Sequence, residues 1–357
     1  MNTKTIGLMA ACLAAASASA QNFMVYQYGA SAGAVSQASI ANLSPNWVAT
    51  GVRNSAGDME LITWKSTGSA LVRKGSATSV AVSDAGMSTV ALTPNSVITS
   101  GITSQGMQMI AWTVSSTGAV AYESFLLVLA DTSSARMTKL DSLRALSAAD
   151  SGGSLTLTIW SITNKELLPV ASAFGAKGTI PAVAAVNPSW FVTAMRNAAG
   201  NLQLDSWSVN ADSAMTHHAT ATAGEVSELD ITAWDGVHVA TPVRNGSGDL
   251  EVIDWTLNTT TGAITRKSSQ TVGAVSQVAA STIGSQIFTA SLNSTGAVDA
   301  GVWGYNGSQI TAGASALHED ATVLAAAPLS TGLYSVTASR TTGGDLQLDV
   351  WSGDYVP

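Results

Sequence analysis

Arg244-Asn-Gly-Ser-Gly-Asp-Leu-Glu-Val-Ile-Asp-Trp255 is a turn followed by a strand, and it recurs along the chain. Arg53-Asn-Ser-Ala-Gly-Asp-Met-Glu-Leu-Ile-Thr-Trp64, Arg196-Asn-Ala-Ala-Gly-Asn-Leu-Gln-Leu-Asp-Ser-Trp207 and Arg340-Thr-Thr-Gly-Gly-Asp-Leu-Gln-Leu-Asp-Val-Trp351 share its layout. The Asn, Ser, Gly and Asp cluster supplies turn geometry, including positive φ at glycine. The run that follows alternates, with Met59 and Leu61 on one face and Glu60 on the other, which is the period of a strand. A second strand precedes the turn, as in Trp47-Val-Ala-Thr-Gly-Val-Arg53. Each unit is therefore a β-hairpin ending in tryptophan.

The tryptophans themselves are periodic. Trp64, Trp112, Trp160, Trp207, Trp255, Trp303 and Trp351 are separated by 48, 48, 47, 48, 48 and 48 residues, a spacing that means a repeat architecture. A buried tryptophan hides roughly 150–250 Å². At about 25 cal/mol per Å², each contributes roughly 4–6 kcal/mol as an upper bound. They are expected to pack between sheets; the alternative is a ring of ligand-stacking aromatics.

Residues 1–20 read as a secretory signal peptide: Lys4, an apolar stretch from Ile6 to Ala16, and Ala18-Ser19-Ala20 before a mature start at Gln21. Met9-Ala10-Ala11-Cys12 offers a lipoprotein alternative after a very short apolar run. The only cysteine, Cys12, lies in this leader, so the mature chain is expected to lack disulfides. The formal charge is −8, or −9 without Lys4. So acidic a chain, with few Lys and Arg, argues against nucleic-acid binding. No other segment is apolar enough to span a membrane. The expected localisation is secreted or periplasmic.

Without the leader, 337 residues remain, almost seven periods of 48, and residues 21–357 are expected to form a single domain. A 48-residue unit suits four short strands. In repeat one these are an inner strand near Val35–Asn42, a turn at Ser44-Pro45-Asn46, a strand from Trp47, a third ending at Trp64 and an outer strand near Ala70–Gly75. Equivalent turns are expected at Thr93-Pro94-Asn95, Asn187-Pro188-Ser189, Ile283-Gly284-Ser285 and Ser330-Thr331-Gly332. Gly33-Ala-Val-Ser-Gln37 returns unchanged as Gly273-Ala-Val-Ser-Gln277. Phe23-Met-Val-Tyr-Gln-Tyr28 therefore occupies the place of an outer strand, while the last repeat stops short of its own. The N-terminal strand is expected to complete the last blade and close the ring, which removes an unpaired edge.

In these features the chain resembles a seven-bladed β-propeller: all-β, with four-stranded blades. The resemblance is architectural. The Gly-His and Trp-Asp pairs of WD40 repeats, the paired glycines of kelch repeats, the Asp-rich calcium loop of integrins and the sialidase Ser-x-Asp-x-Gly-x-Thr-Trp box are absent from the sequence. Repeats two, three and six fit the hairpin pattern least, and repeats two and six lack its arginine.

The fold analogy points to the tunnel mouth as the ligand site. His318-Glu319-Asp320 is the densest ionisable cluster and lies near that rim. Such a cluster could hold a divalent metal or act as acid and base, but no second metal partner is evident. Glu225 and Glu228 approach the inner strand of repeat five at nearly the same relative place, with Asp230 after them. Paired carboxylates could do glycosidic acid–base work at about 5–10 Å separation. Glu225 and Glu228 stand three apart along a strand, which places them on opposite faces. His217 and His218 fall on an outer strand, and His238 takes the place of Trp47 and Trp190. Arg53, Arg196, Arg244 and Arg340 are expected to pair across their hairpins with Asp58, Asp249 and Asp345, or to form repeated sugar pockets with them. No Gly-x-Ser-x-Gly elbow, phosphate loop or His-Glu-x-x-His is present, and no cofactor is assigned.

These readings favour an exported, lectin-like module that binds an extracellular glycan. A hydrolase or lyase at one tunnel mouth and a protein-binding scaffold are the alternatives. Only Trp47, Trp190 and Trp234 lie outside the heptad of periodic tryptophans, few for sugar stacking.

Overall fold

The computed structural model describes residues 22–83, 86–128, 131–306, 308–329 and 334–355. The expected leader, Cys12, the Gln21 start and the Ser330-Thr331-Gly332 turn lie outside the described residues. Strands follow one another with tight turns, in seven groups of four. Blade 1 takes residues 35–44, Trp47–Asn54, Asp58–Ser66 and Leu71–Ala81, each antiparallel to the next. The Ser44-Pro45-Asn46 turn and the inner and outer strands of this repeat fall where the sequence places them. Blade 2 comprises Ser88–Thr93, Ser96–Thr103, Gly106–Val114 and Val120–Val128.

Elsewhere the outer strand of one blade runs on into the inner strand of the next. Glu166–Asn187 joins blades 3 and 4, Met215–Leu229 blades 4 and 5, Ile264–Ile283 blades 5 and 6, and Ile310–Leu329 blades 6 and 7. Phe23–Ser44 does the same across the chain ends. Its first half pairs with Asp345–Asp354, with Phe23 opposite Asp354 and Ala34 opposite Asp345, and its second half pairs with Trp47–Asn54. The N-terminal strand thus supplies the fourth strand of blade 7 and closes the ring.

Turn chemistry sets the hairpins. Asn54 Oδ1 accepts the backbone N–H groups of Ala56 and Asp58, and Asn245 repeats this toward Ser247 and Asp249. Gly57 and Gly248 complete these turns at φ 88°, a conformation that other residues enter at a steric cost.

The core lies between blades. Val48, Ile62 and Trp64 of blade 1 pack with Val336, Leu348 and Val350 of blade 7; Val252, Ile287 and Trp303 pack between blades 5 and 6. All seven periodic tryptophans are buried. Each indole N–H is held by a hydroxyl on the neighbouring strand: Thr50, Thr99, Ser147, Thr193, Thr241, Thr289 and Thr337 in turn. They are interior struts, as a buried polar ring N–H requires. Among the described residues no helix is long and apolar enough to cross a membrane.

Candidate functional site

Around the axis the inner strands enclose a tunnel of about 630 Å³. Its wall is mostly Ser, Thr, Ala, Val and Ile, which fit where seven strands converge. Among the described residues charge enters at two blades: Arg136 and Lys139 on the inner strand of blade 3, Glu228 and Asp230 on that of blade 5. Lys139 lies at the far end of its strand, opposite Ala145. Glu228 stands opposite Arg244, close to the face that carries the Arg/Asn/Gly hairpin turns.

The two carboxylates differ in environment. Asp230 interrupts the inner strand, which stops at Leu229 and resumes at Thr232. Its carboxylate accepts N–H bonds from Ile231 at 2.9 Å and from Ala280 of blade 6 at 2.7 Å. It is a strut between two blades. Burial still pushes its carboxyl above the ordinary carboxylate value, against those bonds and the pull of Arg136. Glu228 is also pushed up by burial, opposed by Arg136 and Arg244. Arg136, exposed to the tunnel, is therefore the cation facing both acids. A half-buried acid held toward its protonated form beside a fixed cation can donate a proton, accept a hydroxyl, or bind an oxyanion jointly with the arginine.

The structure divides His318-Glu319-Asp320 instead of gathering it. His318 turns into the seam between blades 6 and 7, stacked on Tyr26 at 4.2 Å between ring centres, with Nδ1 3.4 Å from the buried Asp349 carboxylate. Glu319 and Asp320 stay exposed to solvent. Burial raises the Asp349 carboxyl, Gln347 and His318 oppose this, and Glu319 adds to it. Among the described residues, no three His, Cys, Asp or Glu side chains are grouped closely enough to hold a metal ion. Glu225 is equivalent to Asp320, since both close the outer strand of their blade, opposite Asn201 and Ala297. It lies exposed on the rim beside Gly246, and a bulge between Val226 and Glu228 separates it from the tunnel-lining Glu228.

The remaining histidines have structural partners. His217 Nε2 lies 3.1 Å from the buried Asp205, His218 meets Ser208 at 2.8 Å and Trp190 at 4.7 Å between ring centres, and His238 Nδ1 meets Asp235 at 2.6 Å.

The repeated arginines correct the expected cross-hairpin ion pairs. Arg53, Arg196, Arg244 and Arg340 each donate Nε to a backbone carbonyl at the start of the next blade's inner strand: Val82, Val226, Val275 and Val35, at 2.6–2.8 Å. Nη1 of Arg53, Arg244 and Arg340 reaches Ser36, Ser227 and Thr322. A guanidinium in this position satisfies a carbonyl where one blade hands over to the next, which an Asp across the turn does not need. Asp58, Asp249 and Asp345 remain in the turns, where their backbone N–H groups are bonded to Asn54, Asn245 and Thr341.

Arg136 is the residue that sequence reading passed over. It stands in Thr132-Ser-Ser-Ala-Arg-Met-Thr-Lys139, a strand from a repeat without the hairpin signature. A cation in the middle of an inner strand of mostly small residues is the signal that marks it.

No family model matches the chain, and no curated protein is similar to it in sequence. Solved structures are similar in shape. The β-propeller domain of Cps50 (Swd1) from Myceliophteria thermophila aligns at TM-score 0.61 and 10% identity, covering 92% of this chain and 99% of that one. A chain of the mitotic checkpoint complex aligns at TM-score 0.60 and 12% identity, covering 99% of each. The periplasmic gluconolactonase PpgL of Pseudomonas aeruginosa aligns at TM-score 0.56 and 10% identity, covering 78% of this chain and 84% of that one. The chain is a β-propeller. At such identities the likeness extends to the fold alone.

Proposed function

We propose that this propeller is an exported, lectin-like binding protein whose carbohydrate ligand is held at the tunnel mouth by Arg136, Glu228 and Asp230. The observation that carries the reading is the opposite-charge set, Arg136 and Lys139 against Glu228 and Asp230, on a tunnel wall whose other described residues are uncharged. Guanidinium and carboxyl groups in a partly desolvated concavity suit hydroxyl recognition, because a polar site left unpaired by a wrong ligand is costly. The clamp geometry of the repeated arginines favours one such site over a ring of equivalent pockets.

A second reading, a hydrolase or lyase, draws support from Glu228. An acid raised by burial beside a second carboxylate has the character of a proton donor. The third, a protein-binding scaffold, draws on fold likeness to a chain of the mitotic checkpoint complex.

One experiment separates them. The purified protein is incubated with a panel of polysaccharides and peptidoglycan, reading protein retained and soluble fragments released. Retention without fragments is the expected result. Fragments that accumulate with time and vanish in Glu228→Gln establish the enzyme. Neither signal on any polymer removes the carbohydrate reading and leaves the scaffold.

A further inference from the structure

The seam between blades 5 and 6 is built differently from its neighbours. In each third strand the residue two before the periodic tryptophan points toward the preceding blade. Ile62 fills the seam between blades 7 and 1 there, and Ile253 the seam between blades 4 and 5; both are buried. Blade 2 carries Ile110 at this position, and blades 4 and 7 carry the buried Asp205 and Asp349. Blade 6 has Gly301. The missing side chain leaves a cleft of about 430 Å³. Small-molecule sites have volumes of roughly 300–1,000 Å³.

The cleft has two unlike walls. Leu250, Val272 and Val275 supply an apolar side, while Ser291, Asn293 and Asp299 of blade 6 supply a polar one. Trp303 lies at its base, its indole N–H tied to Thr289 at 2.8 Å. Asp299 Oδ1 is buried with no hydrogen-bond partner among the described residues. Burial pushes its carboxyl above the ordinary value, opposed by the Ser315 hydroxyl. A buried acceptor without a donor is unfavourable, so the site favours a ligand that brings a hydroxyl.

We infer that this cleft is a second binding site, independent of the tunnel, for one pyranose-sized sugar unit. A pyranose offers an edge of hydroxyls to Asp299, Ser291 and Asn293, and a C–H face to Leu250, Val272 and Val275. The ligand class rests on the carbohydrate reading proposed above; the site does not, because it shares no lining residue with the tunnel.

Gly301→Ile tests the inference directly. A Cβ at Gly301 would lie 3.3 Å from Thr289 Oγ1 and 3.6 Å from Trp303 Nε1, so a side chain enters the cleft with small adjustments and restores what blades 1, 2 and 5 carry. Glucose, galactose, mannose and N-acetylglucosamine are titrated separately into wild type, Gly301→Ile and Asp299→Asn, by calorimetry and tryptophan fluorescence. Thermal melts verify that the variants fold. The expected result is a saturable site for at least one sugar, at least tenfold weaker in Gly301→Ile and in Asp299→Asn. No binding by any of the four, or equal binding by wild type and Gly301→Ile, overturns the inference. Should Gly301→Ile fail to fold, Asp299→Asn decides alone, on the same tenfold criterion. Polymer retention with no monosaccharide bound would sink the cleft and leave the tunnel reading standing.

Discussion

The indole N–H of Trp255 donates to Oγ1 of Thr241 at 2.9 Å, and both residues are fully buried. The bond joins the third strand of blade 5 to its second, and its equivalents do the same in the other six blades. The repeat therefore consists of a pair, a tryptophan and a hydroxyl 13 or 14 residues before it. Trp255→Phe keeps most of the apolar area and leaves the Thr241 hydroxyl unpaired. The expected loss is about 1–3 kcal/mol in urea unfolding. Thr241→Val in the same background should recover part of it, a coupling that a double-mutant cycle reads. Independent, additive losses would mean that the bond contributes nothing.

Arg340 clamps the seam where the ring closes, donating to the Val35 carbonyl at 2.7 Å and to Thr322 at 2.9 Å. Arg340→Met removes both bonds. Stability should fall by about 1–3 kcal/mol, while polysaccharide retention stays at the wild-type level. Reduced retention with unchanged stability would reverse the assignment and make the arginine a ligand contact.

The N-terminal strand has a larger task. Removing residues 22–31 strips Asp345–Asp354 of most of its partner, including the Gln27–Ser352 bond at 2.6 Å. An uncovered edge strand pairs with other chains. The truncated protein should melt well below the full chain and elute as higher oligomers. A monomer of unchanged melting temperature would show that closure adds little.

Asp254 gives stability a pH dependence of defined sign. It is fully buried, neither carboxylate oxygen has a hydrogen-bond partner among the described residues, and burial pushes its carboxyl from 3.8 up to about 6. Below the ordinary carboxylate range both the folded and the unfolded chain carry the proton. Between there and about 6 only the folded chain holds it, so stability declines as pH rises through this window and levels off above it. At about 1.4 kcal/mol per pKa unit the decline is on the order of 3 kcal/mol. Other raised carboxyls, such as Asp349, add slopes of the same sign, so the comparison is with Asp254→Thr, which places there the residue that blade 1 carries as Thr63. The difference between the two unfolding curves should grow in favour of the variant from pH 4 to pH 6.5. A difference independent of pH would show that Asp254 ionises normally.

Much of the ring was legible because it follows local rules. The hairpin turns need Asn and Gly, the strands alternate, and the shared Gly-Ala-Val-Ser-Gln of residues 33–37 and 273–277 reveals the closing strand. The site was less so. Which inner-strand side chains meet the tunnel depends on bulges at the blade junctions, such as that between Val226 and Glu228, and these carry no fixed motif. Adjacent letters misled at His318-Glu319-Asp320, since neighbouring strand residues diverge and His318 found Asp349 in another blade. Arginine next to aspartate suggested an ion pair, whereas the unmet need was a carbonyl at the next blade. The cleft arises from a side chain that is absent at Gly301, which becomes informative only when seven seams are compared.

The most direct test of the tunnel reading is retention of wild type and Arg136→Ala on the best-binding polysaccharide, across a range of polymer concentration. Among the described residues Arg136 makes no side-chain hydrogen bond beyond the one to the neighbouring Ala135 carbonyl, so the variant should fold as the wild type does. Apparent affinity at least tenfold weaker in Arg136→Ala, with an unchanged melting temperature, is the expected result. Equal retention of the two proteins would contradict a ligand held at the tunnel mouth.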